Sequence, residues 1–339
     1  MTGTNLKEIF AVSIYMDMHE AITKQHSQLA LEPEVEFADR LSIYEKFVVS
    51  GMGGSHLAAD ILKSWNPLID VIVHQDYGLP AFKPERIAHR LFIASSYSGN
   101  TEEVLDGFET ALSRSMPVCA ISTGGTLLDR AEQEKIPYIR MPDMGIQPRS
   151  ALGFNLKALL RIMRQESASA DLRALADTLM PSSFEHAGKK LAQRLHNRVP
   201  LIYASARNRA IAYNWKIKCN ETGKIPAFMN VFPELNHNEM TGFDAHESTE
   251  KLSANFYAFI LRDEEDDPRI QKRMEILERL YRARDIPTEI ISIEGTTRFE
   301  KIFSSLYLAD WVAYYTAQEY GSDPNNVPMV EEFKKLMKS

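Results

Sequence analysis

Apolar positions along the chain switch between two periods. Leu6, Phe10, Ile14, Met18 and Ile22 fall four residues apart, with Ile9 on the same face, so residues 5–30 read as a leading helix. Residues 44–54 (YEKFVVSGMGG) form instead a β-branched, aromatic run that halts at glycines, and a helical pattern follows over residues 55–65. That is a strand, a tight turn and a helix. The alternation repeats. Strands are expected near 69–74, at 90–95 and 117–122, and in shorter form at 136–140, with helices at about 101–115 and 127–135. Residues 148–198 read as mostly helical, interrupted at Pro181 and the two serines after it. The rhythm resumes with a strand at 199–205 and a helix from about Asn208 to Thr222. Residues 224–246, with Pro226, Pro233 and many polar groups, carry no period and read as a long loop. A strand near 254–261, a charged helix to Arg284, a strand at 288–293, a helix at 299–320 and a short lysine-rich helix over 325–339 complete the pattern.

Short apolar strands alternating with amphipathic helices predict an α/β protein of right-handed βαβ units with parallel sheets. The expected layout is a helical lead-in (1–40), a first α/β domain (41–147), a helical linker (148–195), a second α/β domain (196–322) and a C-terminal helix (323–339). Length agrees, since 339 residues suit two domains or one large one. Charge narrows the partners. With 39 Lys+Arg against 46 Asp+Glu the chain carries −7, so the basic excess of a general nucleic-acid binder is missing. No apolar run approaches the ~20 residues that span a bilayer, and Asp17, His19 and Glu20 follow too soon for a signal-peptide core. Cys119 and Cys219, the two cysteines, exclude a disulfide framework or a zinc cluster and fit a reducing cytoplasm.

Several segments carry candidate chemistry. Residues 50–55 (SGMGGS) place glycines between strand and helix, where backbone N–H groups meet an anion. The dinucleotide fingerprint needs a third glycine where His56 stands, so a plain strand-to-helix turn is the competing reading. Residues 95–103 (SSYSGNTEE) are more specific. Ser96, Ser98 and Thr101 put three hydroxyls around Gly99 in one short loop at a helix start, a neutral phosphate cradle that works without lysine. The bland alternative is a Ser/Thr loop with a capped helix. Residues 122–127 (STGGTL), at the corresponding place after the next strand, read as a structural turn. Arg149, fixed by Pro148, is either a solvated cation or a group that stabilises negative charge beside a crevice. Glu221, at a helix end before Gly223, is a general base if partly desolvated and otherwise a surface charge. His237 lies between two asparagines with no apolar stripe and no metal-ligand spacing, so no metal site is expected. Lys334, Lys335 and Lys338 read on their own as a basic tail.

Taken together, GMGGS, SSYSGNTEE and ISTGGT resemble the sugar isomerase (SIS) fold family. QPRSALG, NETGKIPAF, FPELNHNEMTGF and the terminal lysine helix resemble, more narrowly, the bifunctional phosphoglucose/phosphomannose isomerases of the phosphoglucose isomerase superfamily. These segments run in order from about residue 45 to 335. The resemblance implies two SIS-type three-layer α-β-α sandwiches with parallel sheets and flavodoxin-like topology. It implies an isomerase that interconverts glucose 6-phosphate or mannose 6-phosphate with fructose 6-phosphate, without metal or cofactor. Gly53, Gly54 and Ser55 would line the sugar site, and Ser96, Ser98 and Thr101 would bind the phosphate. Arg149 would stabilise the enediolate and Glu221 would move the proton between C1 and C2. His237 would help open the ring from the neighbouring subunit of a homodimer, and Lys334 would assist. The chain departs from the pattern in one place. Residues 321–334 hold no threonine shortly before the lysine, with Asn325, Asn326 and Val327 in that neighbourhood, so the glucose activity is implied more firmly than the mannose activity. The competing readings are a non-catalytic SIS module that senses a sugar phosphate, and another SIS sugar-phosphate isomerase. The first would have no use for Glu221 and His237 together, and the ~40 residues before the first strand are too few for a DNA-binding domain.

Overall fold

The computed structural model describes residues 16–337 apart from 88 and 245. Leu6, Ile9, Phe10, Ile14 and Lys338 lie outside the described residues. What remains of the lead-in is two short helices, α1 (Met18–Thr23) and α2 (Gln25–Gln28), rather than one helix through residue 30. The hydroxyls of Thr23 and Ser27 and the ring of His26 bond carbonyls of the preceding turn, competing with a continuous ladder.

The first half contains β1 (Lys46–Ser50), α3 (Gly54–Trp65), β2 (Asp70–His74), α4 (Pro84–Ile87), β3 (Leu91–Ser95), α5 (Glu102–Ser113), β4 (Val118–Ser122), α6 (Gly125–Gln133) and β5 (Tyr138–Arg140). Its strands are all parallel, in the order β2-β1-β3-β4-β5. That is the flavodoxin-like order. Then follow α7 (Leu152–Ile162), α8 (Glu166–Thr178) and α9 (Glu185–Arg194). The second half contains β6 (Val199–Ser205), α10 (Arg209–Glu221), β7 (Phe228–Phe232), α11 (Glu239–Gly242), α12 (Glu250–Ser253), β8 (Phe256–Arg262), α13 (Pro268–Arg282), β9 (Thr288–Ser292), α14 (Arg298–Glu319) and α15 (Pro328–Leu336). Its parallel sheet runs β7-β6-β8-β9, the same order without a fifth strand.

Strand β7 corrects the expectation of a structureless loop over 224–246. It is an edge strand whose outer end is open, with Phe228 exposed and Asn230 interrupting the apolar run. A strand paired on one side needs little burial to form, so its sequence shows no period.

Alternate strand residues feed two faces of each sheet. In the first, Val48, Phe92 and Ala120 meet Phe108 of α5 and Leu127 of α6 on one face. In the second, Tyr203, Ala258 and Ile260 meet Leu277 and Tyr281 of α13. The remaining faces share a single apolar core, in which Val49, Ile93 and Ile121 and, from the other sheet, Ile202, Phe259 and Leu261 pack on α3, α7, α10 and α14. The segment expected as a linker therefore has a packing role. All but one residue of α7 is buried, and Gly188 of α9 lets that helix approach Trp311 of α14. Polar clamps join the halves. Arg298 donates to the Ser64 carbonyl at 3.2 Å and to the Ser64 hydroxyl at 2.7 Å while pairing with Asp263 at 3.0 Å. Within the second half, beneath the last turn of α10, Lys218 pairs with Asp310 at 2.5 Å, both side chains almost fully buried. No helix among the described residues is long and apolar enough to cross a membrane.

Removing one member of a buried ion pair strands the other charge. Asp310→Ala is expected to lower folding stability by about 3–5 kcal/mol. The effect should appear as an earlier denaturation midpoint at unchanged m-value, and a loss below about 1 kcal/mol would mean that the pair is screened like a surface one.

Candidate active site

At the carboxyl edge of the first sheet the neighbouring strands β1, β3 and β4 each turn into a helix, α3, α5 and α6. The cap positions are Gly53, Thr101 and Gly124, and none places a side-chain hydrogen bond on the first-turn N–H groups. Open donors at the positive ends of α3 and α5 thus line one edge, whereas at α6 the Thr126 N–H donates to Asn100 Oδ1 at 3.1 Å and the Leu127 N–H to the Gly99 carbonyl at 2.9 Å. The strand order reverses between β1 and β3, the place where open α/β sheets bind ligands.

Two close approaches shape this edge. Gly99 has φ +70°, and a side chain there would meet the Gly124 carbonyl oxygen at 1.8 Å, so the loops after β3 and β4 lie against each other. A Cβ at Gly54 would lie 2.6 Å from the carbonyl group of Pro148. The first turn of α3 is therefore seated directly on the turn that carries Arg149. Ser55 joins the same assembly, since its hydroxyl accepts from the Tyr97 N–H at 3.1 Å. Buried Asn155 donates to the Ser55 carbonyl at 2.8 Å and to the Ser95 hydroxyl at 3.1 Å. Within the loop, the buried Ser96 hydroxyl accepts from the Gly99 N–H at 3.1 Å and shares a 2.9 Å hydrogen bond with Thr101. Ser98 is exposed, and its hydroxyl accepts from the Asn100 N–H at 3.3 Å. Ser96 therefore frames the loop, while Ser98 and the free N–H groups face outward. Thr101 stands at the cap but turns its hydroxyl to Ser96 instead of capping.

Arg149 is buried, at 3% side-chain exposure, and its donors are distributed over two segments. Nε donates to the Thr222 hydroxyl at 2.9 Å, and Nη2 to the carbonyls of Pro324 and Asn325 at 2.7 and 3.1 Å. Nη1 reaches Glu221 Oε2 at 3.4 Å. Burial pulls the Arg149 pKa below the usual arginine value, opposed by the negative charges of Glu221, Asp310 and Asp323. Glu221 ends α10 and keeps 36% of its side chain exposed, open to a ligand on the face away from Arg149. Lys224 spans the same place, donating to the Glu221 carbonyl at 2.6 Å and to the carbonyl of Asn326. Burial, and then the Arg149 charge, lowers its pKa.

Gly53, Gly54, Ser55, Ser96, Ser98, Thr101, Arg149 and Glu221 therefore converge, whereas His237 does not join them within one chain and the Lys334 side chain makes no hydrogen bond or ion pair with them. Helix α10 runs back from the carboxyl end of β6, so Glu221 lies just before β7 begins and His237 just after it ends. The strand alone sets them about 13 Å or more apart. The loop around His237 is well anchored. Glu239 accepts from Tyr203 at 2.5 Å and from Asn230, Leu235 is buried, and Asn238 donates to Glu234 at 2.7 Å. His237 itself is exposed, and its ring makes no hydrogen bond or ion pair with any described residue. Lys334 lies on α15, which starts close after the Asn325 carbonyl held by Arg149 and has no buried residue.

Sequence reasoning missed five contributors. Thr222 stands inside a motif already singled out, and Lys224 beside it. Asn155 gives no signal but its polarity within an apolar helix. The carbonyls of Pro324 and Asn325 give none, because a main-chain acceptor looks the same at every residue.

The bacterial phospho-glucose isomerase C-terminal SIS domain family matches residues 184–337. A bifunctional phosphoglucose/phosphomannose isomerase from Caldicellulosiruptor bescii is 35% identical over 311 residues, 86% of this chain and 89% of that protein. One from Aquifex aeolicus is 31% identical over 315 residues, 89% of this chain and 93% of that protein. Among solved structures, the glucosamine-6-phosphate deaminase of Thermotoga maritima aligns with a TM-score of 0.67 at 13% identity, over 92% of this chain and 97% of that one. That last likeness is one of fold.

Gly54→Ala tests the seating of α3 on the Arg149 turn. The added methyl is expected to displace the turn, and a shift near 1 Å costs about 100-fold in turnover of a sugar phosphate substrate. Helix content by circular dichroism should stay at the wild-type level. Full turnover in this variant would mean that the turn yields without moving Arg149.

Proposed function

Because the chain belongs to the bifunctional phosphoglucose/phosphomannose isomerase family, we propose that it interconverts glucose 6-phosphate, fructose 6-phosphate and mannose 6-phosphate through a shared enediolate. The observation that carries this reading is the Glu221 carboxylate set 3.4 Å from a buried guanidinium, beside the open helix N-termini of the first sheet.

An aldose and its 2-ketose differ by one proton moved between C2 and C1 and one moved between their oxygens. Glu221 takes the C2 proton and returns it at C1. Substrate entering over its exposed face removes water, which strengthens the carboxylate as a base. The enediolate oxygens then carry negative charge, and the Arg149 guanidinium stands ready without reorganisation because its other donors are fixed. Glucose and mannose phosphates are C2 epimers that collapse to the same enediolate, so one base serves both once the C1–C2 unit rotates. Residues 321–334 hold no threonine, so any discrimination between the epimers rests on other groups. The phosphate would sit on the N–H groups that begin α3 and α5, beside Ser55, Ser98 and Thr101, with Ser96 shaping the loop. Proton bookkeeping closes without metal or nicotinamide.

Ring opening needs acid–base help at O5 and O1. His237 and Lys334 suit that step, but one chain holds His237 at the opposite end of β7 from Glu221. A homodimer in which the partner's loop supplies this group meets the requirement. Two buried free cysteines and phosphorylated substrates fit a cytoplasmic enzyme. A sugar-phosphate sensor is the weaker reading, since binding alone explains neither the Arg149–Glu221 pair nor the exposed His237.

A coupled assay from fructose 6-phosphate should yield both glucose 6-phosphate and mannose 6-phosphate; neither product would favour the sensor. Glu221→Gln should abolish both while sugar-phosphate binding survives, and wild-type turnover would remove Glu221 as the base. His237→Ala should slow closed-ring substrate far more than open-chain substrate. Refolding equal amounts of the two inactive variants together should restore about a quarter of wild-type sites, because half of a random C2 mixture is heterodimer with one intact site each. No recovery would place His237 in its own chain's reaction.

A further inference from the structure

A groove of about 770 Å³ runs between α3 and the start of α10, bridging the two halves. That size lies within the ~300–1,000 Å³ of small-molecule sites. None of the residues assembled around Glu221 lines it.

Its wall is basic in a protein of net charge −7, with Lys63, Arg207 and Arg209 set against one carboxylate, Asp60. Asp60 is already committed, because the buried His56 ring bonds it from Nδ1 at 2.8 Å. Arg207 is likewise engaged by Glu265 at 2.5 Å. The side chains of Lys63 and Arg209, both exposed, make no hydrogen bond or ion pair with any described residue. The groove thus holds two uncommitted cations. It also holds aromatic surface. Trp65 is half-buried and stacked flat on Phe299, with ring centroids 5.0 Å apart and planes 6° from parallel, so its position is fixed. Tyr213 borders the far end, 5.7 Å from His56.

We infer that this groove is a second ligand site that takes a nucleoside phosphate, with the base on the aromatic wall and the phosphate between Lys63 and Arg209. A sugar phosphate offers no planar ring for Trp65, and an aromatic molecule without charge leaves the two cations unused. The site is distinct from the catalytic crevice, yet His56 follows Ser55 directly.

The chain has three tryptophans, and Trp215 and Trp311 are fully buried, so contact quenching of emission reports Trp65. The intact protein is titrated with AMP, and separately with adenosine and with inorganic phosphate. Saturable quenching by AMP is expected, tighter than by either fragment. Combined Lys63→Ala and Arg209→Ala should weaken AMP about tenfold or more while fructose 6-phosphate turnover without AMP stays at the wild-type level, which shows that the variant is folded. Four outcomes overturn the site. These are no saturable binding up to about 10 mM AMP, equal affinity in the double variant, one-for-one displacement of AMP by fructose 6-phosphate, and a Gln75→Cys thiol that resists labelling in the native protein. The last would mean that a second copy covers the groove, and it is readable because both native cysteines are buried.

Discussion

The buried guanidinium of Arg149 is the constraint around which the catalytic end of the molecule is organised. A full charge out of water is tolerable only where its donors are met. Here a hydroxyl, a carboxylate and two main-chain carbonyls meet them, and they come from the end of α10 and from the segment after α14. Holding one cation therefore fixes the relation between both halves and the start of α15. The same cation sits over the carboxylate proposed as the base, so packing and chemistry share one group.

The geometry of the halves makes this meeting possible. The start of α3 lies by the Arg149 turn and the end of α10, while the end of α3 lies by the start of α10 through Ser64 and Arg207. The two helices are antiparallel across the shared core. The carboxyl edge of the first sheet thus looks toward the amino edge of the second. The N–H groups proposed to hold the phosphate lie on one half and the carboxylate proposed as the base on the other, and the carboxyl edge of the second sheet, with His237, is turned away. With His237 in its proposed ring-opening role, such a site is completed by a second chain, and the same antiparallel pair leaves between its helices the basic, aromatic groove proposed as a second site.

Much was legible in the sequence. Eight of the nine strands among the described residues follow from runs of apolar residues stopped by turn formers, most clearly β1, β3, β4 and β6, which are buried on both faces and need such runs. The glycine turn and the hydroxyl loop were legible because close backbone approach and uncapped helix starts demand particular residue types. β7 was not legible, since an edge strand with an open end imposes little pattern. The packing role of 148–195 was not legible either: helical periodicity reports an apolar face but not what that face meets.

By itself the sequence determined the two α/β halves, the order of their elements and most of the segments that gather at the candidate site, because local periodicity and residue type act over a few positions. Tertiary structure alone decided that Gly54 is a glycine on account of Pro148, that Ser96 frames its loop, that Arg149 is held by carbonyls nearly two hundred residues away, and that His237 stands a strand's length from Glu221. Each is a relation between distant segments. Such relations arise only when the two sheets pack on one core, and no single stretch of chain encodes them.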